Sequence, residues 1–170
     1  VVLTLPLRRE RKMVIRDSAE VIKTAVIFDA EMFAQIEQHT EALENQDFLD
    51  DLVRRCVHWK ARIVDEDPHD RGARAVLNYG HTIAHALETV SGYNEYRHGE
   101  AVAMCMTGAA SISAIAGGFP AEDAKRQKGL LRRIGLPRSY TGVTPDQLVV
   151  AMQHDKKVKA GRLLWALPQR

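Results

Sequence analysis

A chain of 170 residues that is 45% hydrophobic has the apolar content for one well-packed domain, and is too short for two of ordinary size. Its 24 Lys and Arg against 22 Asp and Glu leave a formal net charge of +2. That balance argues against a surface built for nucleic acid or for an anionic membrane, both of which need a clear cationic excess.

The N-terminal run VVLTLPLRRERK places its apolar residues before its charges, the reverse of a signal peptide, and begins with Val, so the chain reads as a fragment. Pro6 and the basic cluster Arg8 to Lys12, interrupted by Glu10 and without aromatics, read as an irregular solvated stretch. Residues 1–17 are expected to be a linker or entering segment, and 18–170 a helical domain. From Ser18 a helix would put Glu20 and Lys23 on one face amid apolar neighbours, which on pattern alone is a surface ion pair. Asp29 then caps a helix expected through EMFAQIEQHTEALE, with Phe33, Ile36 and Leu43 as its apolar stripe. In the next helix Phe48, Leu49, Leu52, Val53, Cys56 and Val57 form a stripe, and the row 48, 52, 56 runs on to Lys60. A lysine on that row either snorkels out or projects into an anion-binding cleft.

Val64 to Ala73 is a loop by composition, broken by Pro68 and Gly72. Asn78 is expected as N-cap or first-turn residue of a helix that carries His81, His85 and Glu88 on one side and ends at Gly92. A short link leads to a second helix from near His98, and helices so joined tend to lie antiparallel, which returns His98 towards His81 or His85. Ala101 to Phe119 carries no charge over 19 residues. Its Ala, Gly, Ser, Thr and Met favour a buried helix over a membrane span. Gly117, Gly118 and Pro120 end it; AEDAKRQKGLLRRIG is an amphipathic surface helix closed by Gly135 and Pro137; and Thr144, Pro145 and Gln147 open a last helix with a capping box. GRLLWALP reads as a short closing strand. The sum is a mostly α domain of about six to eight helices. Cys56 and Cys105, far apart and without CxxC spacing, suit buried thiols in a reducing compartment such as the cytosol.

The stretch Leu77 to Met104 groups His81, His85 and His98 with Glu88 and Glu100 among small and apolar residues, the setting of a divalent-metal site. The i, i+4 spacing taken alone names His81 and His85 as the ligand pair, or else a satisfied core or surface pair. Glu20, Lys23, Lys60 and Arg74 add charges on apolar stripes or after loops, where an unpaired charge would be costly.

The blocks AEVIKTA (19–25), KARIVDEDPHDRGARAVLNYGHTIAHALE (60–88), HGEAVAM (98–104) and DKKVKAGRLLWALP (155–168) closely resemble, in order, the C-terminal domain of the 3-dehydroquinate synthase family. The resemblance implies a helical metal-binding domain that follows an N-terminal Rossmann-like domain holding NAD. It places the metal ligands, for Zn²⁺ or Co²⁺, on Glu20, His81 and His98 instead of the i, i+4 pair. It makes His85 a substrate-binding or proton-handling neighbour, and Lys23, Lys60, Arg74, Asn78 and Lys156 grips on the substrate's carboxylate, hydroxyls and phosphate, with His85, Lys23 and Arg74 closest to the chemistry. The implied reaction is conversion of DAHP, a phosphorylated sugar acid, to 3-dehydroquinate and phosphate in the shikimate pathway, in the cytoplasm, by an enzyme for which a homodimer is a possible assembly. Two atoms of nitrogen and one carboxylate leave open positions on zinc for substrate hydroxyls.

Some residues depart from the family pattern. The segment between Pro6 and Glu20 lacks the usual glycine, Asp70 stands where glutamate is commoner, Cys105 stands where glycine is common, and no glycine-rich nucleotide-binding turn occurs. The isolated chain is therefore expected to be inactive without an NAD domain. Competing readings are another sugar-phosphate cyclase; an iron-type alcohol or glycerol dehydrogenase, which would usually have Asp where Glu20 stands; and a non-catalytic helical remnant.

Overall fold

A computed structural model of the chain describes residues 18–92, 95–137, 139–153, 158–159 and 162–169. Residues 1–17 and Lys156 lie outside the described residues. Those described form seven α-helices: α1 (18–28), α2 (Ala30–Gln38), α3 (Gln46–Glu66), α4 (His81–Val90), α5 (His98–Ile115), α6 (Ala121–Arg133) and α7 (Pro145–Gln153). Two 3-10 turns, Thr40–Glu44 and Ala73–Asn78, and a two-residue antiparallel hairpin, β1 (Val158–Lys159) with β2 (Arg162–Leu163), complete them. The mostly α expectation holds, and the closing strand is half of that hairpin.

The uncharged run becomes the centre of the fold. From Ala101 to Met106 every side chain of α5 is buried, as are Ala109, Ala110 and Ser113. Such small residues let neighbouring helices come close, and α4 and α6 both pack on α5, with α7 against α4. Among the described residues no helix is long and apolar enough to cross a membrane. One tight approach is at Gly80, the N-cap of α4, where a Cβ would stand 2.7 Å from Met106 Cγ and 3.1 Å from its backbone nitrogen. Gly80 also has φ +76°, a left-handed conformation that glycine tolerates best. Beside it the hydroxyl of the buried Tyr79 reaches the Met106 carbonyl at 3.1 Å and Gln127 Oε1 at 2.7 Å, joining the start of α4 to α5 and α6.

A second joint holds α1 and α2 to α3. Asp29 caps α2 by accepting from Met32 N at 2.9 Å, and the same carboxylate accepts from Arg55 Nη2 at 2.6 Å, Arg55 Nε at 3.0 Å and Trp59 Nε1 at 3.3 Å. Burial would raise its pKa, but these hydrogen bonds outweigh it and hold the carboxyl below its usual range. Trp59 in turn stacks on Phe28 with ring centroids 5.4 Å apart.

Several local expectations need correction. The helix after Asp29 stops at Gln38 and resumes as a 3-10 turn from Thr40, with His39 N–H turned back to Gln35. α3 runs through Val64 to Glu66, so the loop begins only at Asp67. Within α3 the apolar stripe is narrower than its sequence: Leu52 is buried, whereas Val53 and Val57 are 51% and 61% exposed and Lys60 is also exposed. Packing covers the Leu52 side of α3 and leaves the far end of the row in water, so Lys60 is not a core lysine. Asn78 ends a 3-10 turn and does not cap α4; the left-handed Gly80 takes that place. The capping box at the last helix is as read, with Thr144 N donating to Gln147 Oε1 at 2.8 Å and Gln147 N to Thr144 Oγ1 at 3.3 Å.

Gly80→Ala combines a left-handed alanine with a clash against α5. It is expected to destabilise the fold by about 2–4 kcal/mol in chemical denaturation, whereas Gly129→Ala, in an open part of helix α6, should be neutral or stabilising.

Candidate metal centre

The centre is built where two helices begin. His81 is the first residue of α4 and His98 the first of α5, while Glu20 comes from the first described turn of α1. Glu20, His81 and His98 each present one ligand atom, and these atoms lie within 4.8 Å of one another. His81 Nε2 is 3.6 Å from Glu20 Oε1, and the His81 and His98 rings are 5.2 Å apart at 62°. Helix N-termini carry partial positive charge, which favours the carboxylate and disfavours protonated imidazole at this spot.

Each of the three is tied on its outer side. His81 Nδ1 lies 3.1 Å from the Tyr79 carbonyl. A carbonyl only accepts, so the proton sits on Nδ1 and the Nε2 lone pair points at Glu20. His98 Nδ1 lies 2.9 Å from Glu88 Oε1, and since a carboxylate accepts, Nδ1 is the donor there. Glu20 Oε2 is 2.7 Å from Lys23 Nζ, which also donates to the Leu77 carbonyl at 3.0 Å. Glu20 Oε1 is buried and has no hydrogen-bond partner, a cost that a cation would remove.

Zinc binds such donors at about 2.0–2.2 Å, so ligand atoms sharing one ion lie at most about 4.4 Å apart. The three atoms therefore fit one ion with a contraction of a few tenths of an ångström. Burial, and then the charge of Lys23, push the His81 pKa down to about 4. His81 is thus neutral at ordinary pH, as a ligand must be.

The other residues singled out from sequence fall around this group. The Glu20–Lys23 pair exists, but Lys23 is 6% exposed and so is not a surface ion-pair partner. His85 stands edge-on to His81 with centroids 5.7 Å apart, and the group of three that could share an ion does not include it. Glu100, another member of the cluster, accepts the Arg97 backbone N–H at 3.0 Å and so serves the start of α5. Arg74 and Asn78 lie in the 3-10 turn that leads to His81, half-buried, while Lys60 is out on α3. Asp70 adopts φ +52°, the one non-glycine with positive φ among the described residues.

One residue with a part in this arrangement, Asp67, escapes a reading of the sequence. The Asp67 carboxylate accepts the backbone N–H groups of Arg71 at 2.7 Å, Gly72 at 2.8 Å and Arg74 at 3.1 Å, and thereby shapes the loop that presents Arg74. Those bonds, Arg71 foremost, hold its pKa at about 2. An aspartate at a helix end before Pro and Gly is the available signal, since short acidic side chains close turns of this kind. Glu88 shares a helix face with His81, but its partner His98 arrives from the next helix.

Residues 17–158 match the family model described as 3-dehydroquinate synthase C-terminal. The chain is 42% identical to a 3-dehydroquinate synthase from Nostoc punctiforme over 173 aligned positions, covering 99% of the chain and 47% of that protein. It is 40% identical to a 3-dehydroquinate synthase from Desulforamulus reducens, covering 89% of the chain and 43% of that protein. It is thus about half the length of these relatives. The fold is also similar to that of ValA, a 2-epi-5-epi-valiolone synthase from Streptomyces hygroscopicus solved with NAD+ and Zn2+ bound, with a TM-score of 0.83, 23% identity, and coverage of 94% of this chain and 45% of that one. The position of Glu20, His81 and His98 on helices of this fold, together with a family match over most of its length, makes this chain a member of the 3-dehydroquinate synthase C-terminal family.

Proposed function

We propose that the chain is the metal- and substrate-binding part of a 3-dehydroquinate synthase, a phosphorus–oxygen lyase that converts DAHP to 3-dehydroquinate and phosphate. The observation that carries this reading is the convergence of Glu20, His81 and His98 within 4.8 Å in a chain about 40% identical to 3-dehydroquinate synthases. These three residues would hold Zn²⁺ or Co²⁺. When bound, such an ion polarises a substrate oxygen and orients neighbouring hydroxyls.

The chain's own residues then divide the work by charge and position. Arg74, on the loop organised by Asp67, supplies a planar cation suited to a carboxylate or phosphate. Asn78 is on the same turn. Lys23 has three N–H donors and spends two on Glu20 and Leu77, which leaves one for a substrate oxygen. His85, beside His81, is assigned to binding a hydroxyl or carrying its proton. Lys60 and Lys156 are assigned to the anionic ends of the substrate. The 170 residues contain no glycine-rich nucleotide-binding turn, so the NAD of the family reaction is assigned to polypeptide outside this sequence. A cytoplasmic setting and a homodimer are part of the same reading.

A second reading, a sugar-phosphate cyclase with another substrate, draws on the likeness of fold to the valiolone synthase. The two are separated by supplying the chain within a polypeptide that includes an NAD-binding domain and comparing phosphate release from DAHP with that from a phosphorylated sugar lacking the carboxylate. Release from DAHP alone supports the synthase; release from the carboxylate-free sugar alone overturns it.

Elemental analysis of the purified chain is expected to find near-stoichiometric zinc or cobalt after reconstitution, lost in Glu20→Ala, His81→Ala and His98→Ala. Retention of metal in all three would sink the ligand assignment. A second prediction concerns protons. With its folded pKa at about 4 against an ordinary value of 6.5, His81 contributes metal-free stability that is fully present above the ordinary value and lost as pH falls towards 4, because the unfolded chain binds the proton first. Denaturation between pH 7 and pH 4 should therefore show a shallower pH dependence in His81→Ala than in the parent.

A further inference from the structure

His98 is the least anchored of the three candidate ligands. Its side chain is 53% exposed, and it sits on the first residue of α5, where no preceding helical turn packs against the ring. Water would let such a ring rotate and present either nitrogen. Glu88 is the opposite kind of residue: its side chain is 11% exposed, on the last turn of α4, with its Oε1 2.9 Å from His98 Nδ1. It lies close enough to the buried Cys105 thiol that its charge adds to burial in pushing that group up to about 12. The carboxylate is therefore held between α4 and α5 while the ring it touches is not. Glu88 is absent from the group of three whose ligand atoms lie within 4.8 Å of one another, so it is read as a partner of His98 and not as a fourth ligand.

We propose that Glu88 is a positioning residue, whose carboxylate fixes the proton of His98 on Nδ1 and turns Nε2 towards Glu20 and His81, and that it thereby sets how tightly the site holds a divalent ion. The inference rests on the metal-site reading above. One helix then supplies both a ligand, His81, and seven residues later the support for a second ligand that the next helix delivers. A carboxylate behind a ligating imidazole fixes its tautomer and orientation and raises its basicity, and losing such a partner typically lowers metal affinity 10- to 100-fold.

The test uses the purified chain, titrated with Co²⁺ by visible absorption and with Zn²⁺ in competition with a chromophoric chelator. Glu88→Gln, which keeps size and one acceptor oxygen but loses the charge, is expected to weaken binding of both ions by about 10- to 100-fold. In a His98→Ala background the same substitution should change affinity by no more than about twofold, because the residue through which it acts is gone. Equal losses in the two backgrounds would mean that Glu88 supports the fold in general, and no loss in the parent background would mean that it does not act on the site; either overturns the proposal. A parent chain that binds neither ion overturns the metal reading and this inference together, whereas a parent that loses its ion in Glu20→Ala but is indifferent to Glu88→Gln overturns this inference alone. An independent readout needs no metal: ring ¹⁵N shifts should place the neutral His98 proton on Nδ1 in the parent and return it to Nε2 in Glu88→Leu. A parent ring protonated on Nε2 would refute the proposal even if the leucine variant did not fold.

Discussion

The close approach of α4 to α5 at Gly80 is the constraint from which the site follows. With no side chain at that position and a backbone turned left-handed, the first turn of α4 can rest on Met106. A β-carbon there would push the two helices apart. Because His81 is the next residue and His98 is two turns up α5 from Met106, the separation of these helices is also the separation of two candidate ligands. Tyr79, on the other side of Gly80, anchors the same corner to the Met106 carbonyl and Gln127. Packing and metal geometry are thus one problem at this corner, solved mainly by a missing side chain.

The electrostatics of the centre follow from which groups are buried with it. A carboxylate, a lysine and two imidazoles at two helix N-termini would repel one another if all were cationic or all anionic. The arrangement avoids this by sharing Glu20 between Lys23 on one oxygen and an unpartnered side on the other, and by giving each imidazole a hydrogen-bond acceptor at Nδ1. His81 is then a neutral donor and the unpaired oxygen of Glu20 is the negative pole. Such a site is poised for a cation because the Glu20 oxygen among the three ligand atoms is buried without a hydrogen-bond partner.

Around this core the residues proposed to grip substrate are mounted differently. Arg74 and Asn78 are on a 3-10 turn whose entry is shaped by the Asp67 carboxylate, so their placement depends on a loop clamp and not on helix packing. Lys60 is on an exposed face of α3, the helix that the Asp29–Arg55–Trp59 joint holds to α1 and α2. Rigid ligands and loop-borne grips are a common division in binding sites, since a metal tolerates little displacement while a substrate is held by several longer side chains.

The helices that composition and capping announce are nearly all present: the uncharged α5 between His98 and its glycines, α6 up to Gly135, and α7 from its Thr144 capping box. These rest on local causes, namely small residues that can be buried on every side, caps, and breakers. The local reading fails where tertiary contacts decide, as at Val53, Val57 and Lys60, which share the pattern of a buried stripe but are exposed among the described residues. For the site, spacing within one helix pointed to His81 and His85, because residues four apart share a helix face; the family blocks pointed instead to Glu20, His81 and His98. What the sequence by itself determined is which residue types are available and which helices carry them. Only the tertiary structure decided that Glu20 from α1, His81 from α4 and His98 from α5 face one point, with Glu88 behind the last, since that depends on how closely α4 and α5 pack, and closeness is set by the absence of a side chain at Gly80 meeting Met106 26 residues later.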